Sequence, residues 1–166
     1  MARESAFSLL GLPERFSVDS LEVMAAWKSR LTLVHPDRFA GRPEAERRVA
    51  EQWASRINDA KAVLLDPVAR ATALLGLQGL ASEAEADTQM DAAFLAQQFE
   101  WRERLEAGQV SAVRSEWEAA RASLLAALET AIDQQADWTR ARELLRRLLF
   151  LEKLGRELTE ASRHPE

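Results

Sequence analysis

Apolar positions recur along this chain in steps of three and four almost from end to end, and no stretch shows the strict alternation of a strand. Ser5 to Leu10 ("SAFSLL") reads as a first short helix, closed by Gly11 and Pro13. Leu21, Met24, Trp27, Leu31 and Val34 then share one face of a predicted helix. Asp19, with Glu22 three residues on, has the spacing of a capping box: an acceptor for the free amides of the helix start, and a carboxylate that reaches back. Pro36 stops the helix, because the residue before a proline is pushed out of the α region. Pro43 suits the first position of the next helix, where its missing N–H costs nothing. Val49, Trp53, Ile57, Ala60 and Leu64 continue at helical spacing as far as Asp66-Pro67. On that stripe Trp53 is expected in the core, where truncating a buried aromatic costs about 3–5 kcal/mol. The two stripes, joined by residues 35–42, describe an antiparallel helical hairpin. The first short helix is expected to pack across it, and "VARATALLGL" to lie against it.

Residues 76–90 ("GLQGLASEAEADTQM") are rich in Gly, Ser and acids and mark the best boundary. Three helices follow, with predicted starts near Asp91, Ser111 and Asp137, separated by Gly108 and by "DQQAD". Short connections make successive helices antiparallel neighbours, so the back half reads as a three-helix bundle. The predicted fold class is all-α, with one helical domain over residues 1–75, a linker over 76–90 and the bundle over 91–166.

Composition narrows the function classes. A chain of 166 residues can hold one or two small domains, and with no cysteine it has neither a disulfide framework nor a thiolate metal site. The first residues, "MARESAFSLLGLPERF", carry two acids and too short an apolar run for a secretory signal. No stretch approaches the roughly 20 apolar residues a membrane span needs. A soluble, cytoplasmic protein is expected, with no membrane partner. The net charge of −5 divides unevenly: residues 1–75 carry 11 Lys/Arg and 10 Asp/Glu, residues 76–166 carry 11 and 17. A front half at +1 and a back half at −6 lack the concentrated basic field of a nucleic-acid binder and suit two parts with different partners.

The turn of the hairpin holds His35-Pro36-Asp37, with Lys28 and Arg30 before it and Arg38 after it. Taken alone, Pro36 is a helix stop, Asp37 a turn residue and His35 a polar group at a helix end. In this setting, with "FSLLGL" ahead of the hairpin and "INDAKAVLLDPVARA" closing its second helix, residues 4–75 resemble the J domain of co-chaperones for the 70-kDa heat-shock chaperones. The back half, with "DAAFLAQQFEWRERL" and "RRLLFLEKL", extends the resemblance to the HscB family of iron–sulfur co-chaperones over nearly the whole chain. The resemblance implies an N-terminal J domain that contacts an HscA-like 70-kDa chaperone through His35, Pro36, Asp37, Lys28, Arg30 and Arg38. It further implies a C-terminal bundle that holds an IscU-like cluster scaffold, so that scaffold is delivered, ATP hydrolysis is stimulated and clusters pass to acceptor proteins. Thr32, Leu33 and Val34 depart from the basic and aromatic residues usual just before the histidine, which thins the positive face expected to steer encounter.

On a wheel at about 100° per residue, Phe94, Gln98, Trp101 and Leu105 form a complete core stripe for the helix after Asp91. Leu95 and Phe99 fall roughly 100–140° from it. They can pack on a neighbouring helix, or they can form an apolar docking surface. The resemblance places Leu95, Ala96, Phe99, Glu100, Arg102 and Glu103 at scaffold-contacting positions, together with Phe150, which lies off the Leu144–Leu148–Leu151 stripe. Ala96 stands where a larger methionine is common, so the patch is expected to be shallower.

An enzyme built on this chain would have to use His35 and Asp37, with Asp59 or Glu46. The other histidine, His164, lies in a polar tail, and neither a phosphate loop, a nucleophile elbow nor a helical His-Glu-x-x-His is present. The expectation is a non-enzymatic adaptor with no cofactor. The competing expectation is a J-domain adaptor that delivers a different client.

Overall fold

A computed structural model describes residues 3–80 and 90–163. Of the expected linker, residues 81–89 lie outside the described residues, as does His164. The chain divides into two compact units, Met1–Gln78 and Gly79–Glu166.

In the first unit, α1 (Ala6–Leu10) is held by a reciprocal cap. The Ser5 hydroxyl accepts from the Ser8 N–H at 3.1 Å, and the Ser8 hydroxyl accepts from the Ser5 N–H at 2.8 Å. Gly11 ends α1 at φ 69°, a left-handed position that favours glycine. Helix α2 (Ser20–Val34) starts on Asp19, whose carboxylate accepts from the Leu21 N–H at 2.8 Å. A 3₁₀ turn, Pro36–Phe39, leads to α3 (Glu44–Leu65). Pro43 is the N-cap of α3, one position earlier than expected, with extended backbone at ψ 148°. Helix α4 (Pro67–Leu77) packs on α3 and brings in Arg70, a buried cation. Its guanidinium stacks on Phe16 at 4.8 Å and donates to the Leu64 carbonyl at 2.6 Å, satisfying an orphan acceptor at the end of α3.

The hairpin of α2 and α3 forms as expected, but both contact stripes differ from those read off the sequence. In α3 the buried residues are Ala50, Ala54, Ile57, Ala60 and Leu64, while Val49 is 52% exposed and Trp53 38% exposed. The two stripes converge at Ile57 and differ by one residue, about 100°, before it. Alanines win the inner face because α1 and α2 approach α3 closely there, and the bulkier Val49 and Trp53 are turned outward. The full cost of truncating a buried aromatic therefore does not apply to Trp53. In α2, Val23 is buried, whereas Leu21 and Met24 are exposed, and Trp27, Leu31 and Val34 are half-buried. Trp27 spans the hairpin, donating from its indole to Asn58 Oδ1 at 2.8 Å beneath the ammonium of Lys61.

The second unit is a three-helix bundle of α5 (Ala92–Glu106), α6 (Val110–Glu129) and α7 (Trp138–Arg163). Gly108, at φ 81°, turns the chain between α5 and α6, and a π turn, Thr130–Gln134, leads out of α6. The core gathers Trp101 of α5, Val113 of α6 and Leu151, Leu154 and Leu158 of α7. Helices α6 and α7 make the most extensive contact. Gly155 is the reason they come so near: a Cβ there would lie 2.5 Å from the Trp117 ring, whose indole donates to the Leu151 carbonyl at 2.7 Å. Among the described residues, no helix is long and apolar enough to cross a membrane.

Candidate functional site

The connection between α2 and α3 has a locally fixed shape. His35 caps α2 and leaves the helical region at ψ 133°, and Pro36 opens the 3₁₀ turn. The Arg38 N–H donates to the His35 carbonyl at 2.9 Å. His35 Nδ1 accepts from the Asp37 N–H at 3.3 Å. The Asp37 carboxylate is 92% exposed and lies 3.6 Å from His35 Nδ1. The turn thus displays an imidazole and an exposed carboxylate side by side on a backbone fixed by its own hydrogen bonds.

The three expected cations are placed differently from one another. Lys28 shares a face with Thr32 and His35, and these line a shallow depression with Trp27, Leu31 and Arg38. Arg38 turns back, its guanidinium donating to the Thr32 carbonyl at 3.1 Å, where it complements the negative end of α2. Arg30 lies on another side of α2, over Gly11, so the structure does not bring it to His35.

In the second unit, Gln98 and Trp101 are buried in α5, with Phe94 and Leu105 half-buried, so the core stripe is the expected one. Leu95 is 37% exposed and Phe99 68% exposed; Ala96, Glu100 and Glu103 are exposed as well. Arg102 is half-buried and bonded to Glu157 of α7 at 3.2 Å, and Arg147 of α7 lies 3.9 Å from Asp91. These pairs set α5 and α7 parallel. On the wheel, Leu95 lies within about 40° of both Asp91 and Arg102, and Phe150, 36% exposed, lies between Arg147 and Glu157. Exposed apolar groups of both helices thus flank the α5–α7 ion pairs, and Glu100 and Glu103 are exposed on α5.

A polar latch holds α5 in this position. Glu116 of α6 accepts two hydrogen bonds from Arg104, both 2.8 Å, and one from the Trp101 indole at 2.9 Å. Arg104 first, then Trp101, hold the Glu116 carboxyl down to about 2. The latch was not legible beforehand, since a Glu on α6 gives no sign of its partner on α5. Also missed was a largely apolar hollow beside the turn, lined by Val34, Phe39, Val49 and Trp53 with Glu46 among them. Its signal was present as two competing stripes in α3.

A short lead helix, an antiparallel hairpin turning through His-Pro-Asp and a following helical bundle are the arrangement that the resemblance to J-domain co-chaperones implies. The family model for the HSCB C-terminal oligomerisation domain matches residues 90–159. The co-chaperone protein HscB homolog of Bordetella pertussis is 43% identical over 166 residues, covering 97% of this chain and 98% of that protein. Among solved structures, chaperone HscB from Vibrio cholerae superposes with a TM-score of 0.82 at 32% identity, covering 96% of this chain and 98% of its own. The human co-chaperone HscB reaches 0.89 at 25% identity, covering 98% and 84%. The chain belongs to the HscB co-chaperone family.

Proposed function

We propose that the protein is an adaptor of iron–sulfur cluster assembly, carrying an IscU-like scaffold to an HscA-like 70-kDa chaperone and stimulating that chaperone's ATPase. His35, Pro36 and Asp37 deliver the stimulus, with Lys28 supplying positive charge on the same face, Arg38 stiffening the turn and Arg30 contributing at longer range. Leu95, Ala96 and Phe99 of α5, with Phe150 of α7, form the apolar seat for the scaffold, and Glu100, Arg102 and Glu103 provide its polar margin. Cluster transfer to acceptor proteins follows from the chaperone cycle that the adaptor drives.

The observation that carries the reading is the exposure of Leu95 and Phe99 on a helix whose core stripe is complete without them. Large apolar side chains left in water on one edge are the mark of a docking surface. Capture of purified scaffold by the immobilised protein tests it. Phe99→Ala is expected to lose capture and His35→Gln to keep it. If neither variant alters capture, the second unit serves another client.

A further inference from the structure

Helix α5 carries two arginines among its exposed carboxylates, and both are committed to other helices. Arg102 reaches Glu157 of α7 at 3.2 Å. Arg104 meets Glu116 of α6 through two bonds of 2.8 Å, the forked geometry in which a guanidinium holds a carboxylate most firmly. Its Nε donates to Gln109 Oε1 at 3.1 Å. A second carboxylate lies within reach: Glu100, four residues earlier on α5, has Oε1 3.5 Å from the same guanidinium. On the wheel Arg104 lies about 40° from Glu100 on one side and about 60° from Trp101 on the other. It therefore stands between the margin of the proposed scaffold seat and the core of the bundle.

One cation thus faces two carboxylates. A glutamate four residues before an arginine is well placed to pair with it along a helix. Here the shorter, doubled bond goes to Glu116 instead, and Glu100 keeps a single looser contact with its side chain 64% exposed. Glu116 belongs to α6, which contributes no side chain to the proposed seat.

We infer that Glu116 is a positioning residue for scaffold binding: by holding Arg104 it keeps that cation from closing on Glu100, whose carboxylate then takes a basic group of the scaffold. The inference rests on the proposed scaffold seat and adds a residue outside it. Without the Glu116 charge, the Arg104 guanidinium turns to its helical neighbour and neutralises Glu100 before the scaffold arrives. The scaffold then has to displace an intramolecular cation, and affinity falls. Removing Arg104 as well returns Glu100 to the scaffold.

The test is calorimetric titration of purified scaffold into the full-length protein, comparing wild type, Glu116→Gln, Arg104→Gln, the double variant and Phe99→Ala, each checked by circular dichroism. Glu116→Gln is expected to weaken binding about three- to fivefold, the scale of one exposed ion pair. Arg104→Gln should bind at least as tightly as wild type, and the double variant should recover wild-type affinity. Both single variants break the same ion pair, so any loss of stability is common to them, and only the sign of the affinity change separates the two roles. Weakening by Arg104→Gln equal to that by Glu116→Gln would show that the pair merely holds α5 in place, and the inference fails. Unchanged affinity for Glu116→Gln, with Phe99→Ala still weakened, also overturns it while leaving the seat standing. Normal binding by Phe99→Ala removes the seat itself.

Discussion

Glu116 shows how one residue carries more than its charge. Its carboxylate joins Arg104 and the Trp101 indole, two groups of α5, to α6, and its folded value of about 2 lies below the ordinary 4.5. A depressed carboxyl stabilises the fold fully above 4.5, and that contribution is lost as pH falls from there through about 2. Denaturant melts of wild type should therefore weaken across this window, while Glu116→Gln should be less stable at neutral pH and flatter in acid. Equal slopes would show that the latch is not formed in solution. Gln98 has the opposite character. Its amide is 2% exposed, and neither its oxygen nor its nitrogen has a hydrogen-bond partner among the described residues. Gln98→Leu should raise the unfolding free energy by about 1–2 kcal/mol, because it removes an unpaired buried amide while keeping most of the volume. Neither role was legible in the sequence, because periodicity places Gln98 on the core stripe without saying what its amide meets.

Among the helices, the sequence was informative about existence and order and less so about rotation. Each expected helix is present, with starts shifted by a residue at Pro43 and near Val110. The inner face of α3 was misjudged because hydrophobic size favours Val49 and Trp53, while close approach favours Ala50 and Ala54. For α5 the same reasoning succeeded, because Trp101 has one deep place to go and Leu95 and Phe99 are left over. Leu95→Ala and Phe99→Ala should each weaken scaffold binding by about 1–2 kcal/mol in calorimetry with little change in melting temperature. Gly155 tests the α6–α7 contact. Alanine ordinarily improves a helix interior by about 1 kcal/mol, yet here its Cβ would meet the Trp117 ring, which its indole bond holds in place. Gly155→Ala should therefore destabilise the bundle by about 1–3 kcal/mol in a urea melt, against the propensity trend.

Over the whole molecule, two compact units carry different surfaces: one displays the polar His35–Asp37 turn, the other exposed apolar side chains on α5. That division was visible in the chain as a Gly- and acid-rich break between two helical patterns and as a charge of +1 before it and −6 after it. The side-chain partners of the two surfaces were not, since they depend on contacts between helices distant in sequence, such as Arg102 with Glu157.

The most direct measurement is the ATPase rate of the purified chaperone with this protein, with and without scaffold, for wild type, His35→Gln and Phe99→Ala. Wild type should stimulate, and scaffold should raise the rate further. His35→Gln should abolish both effects, and Phe99→Ala only the increment due to scaffold. Full stimulation by His35→Gln, or a scaffold increment indifferent to Phe99→Ala, would contradict the account.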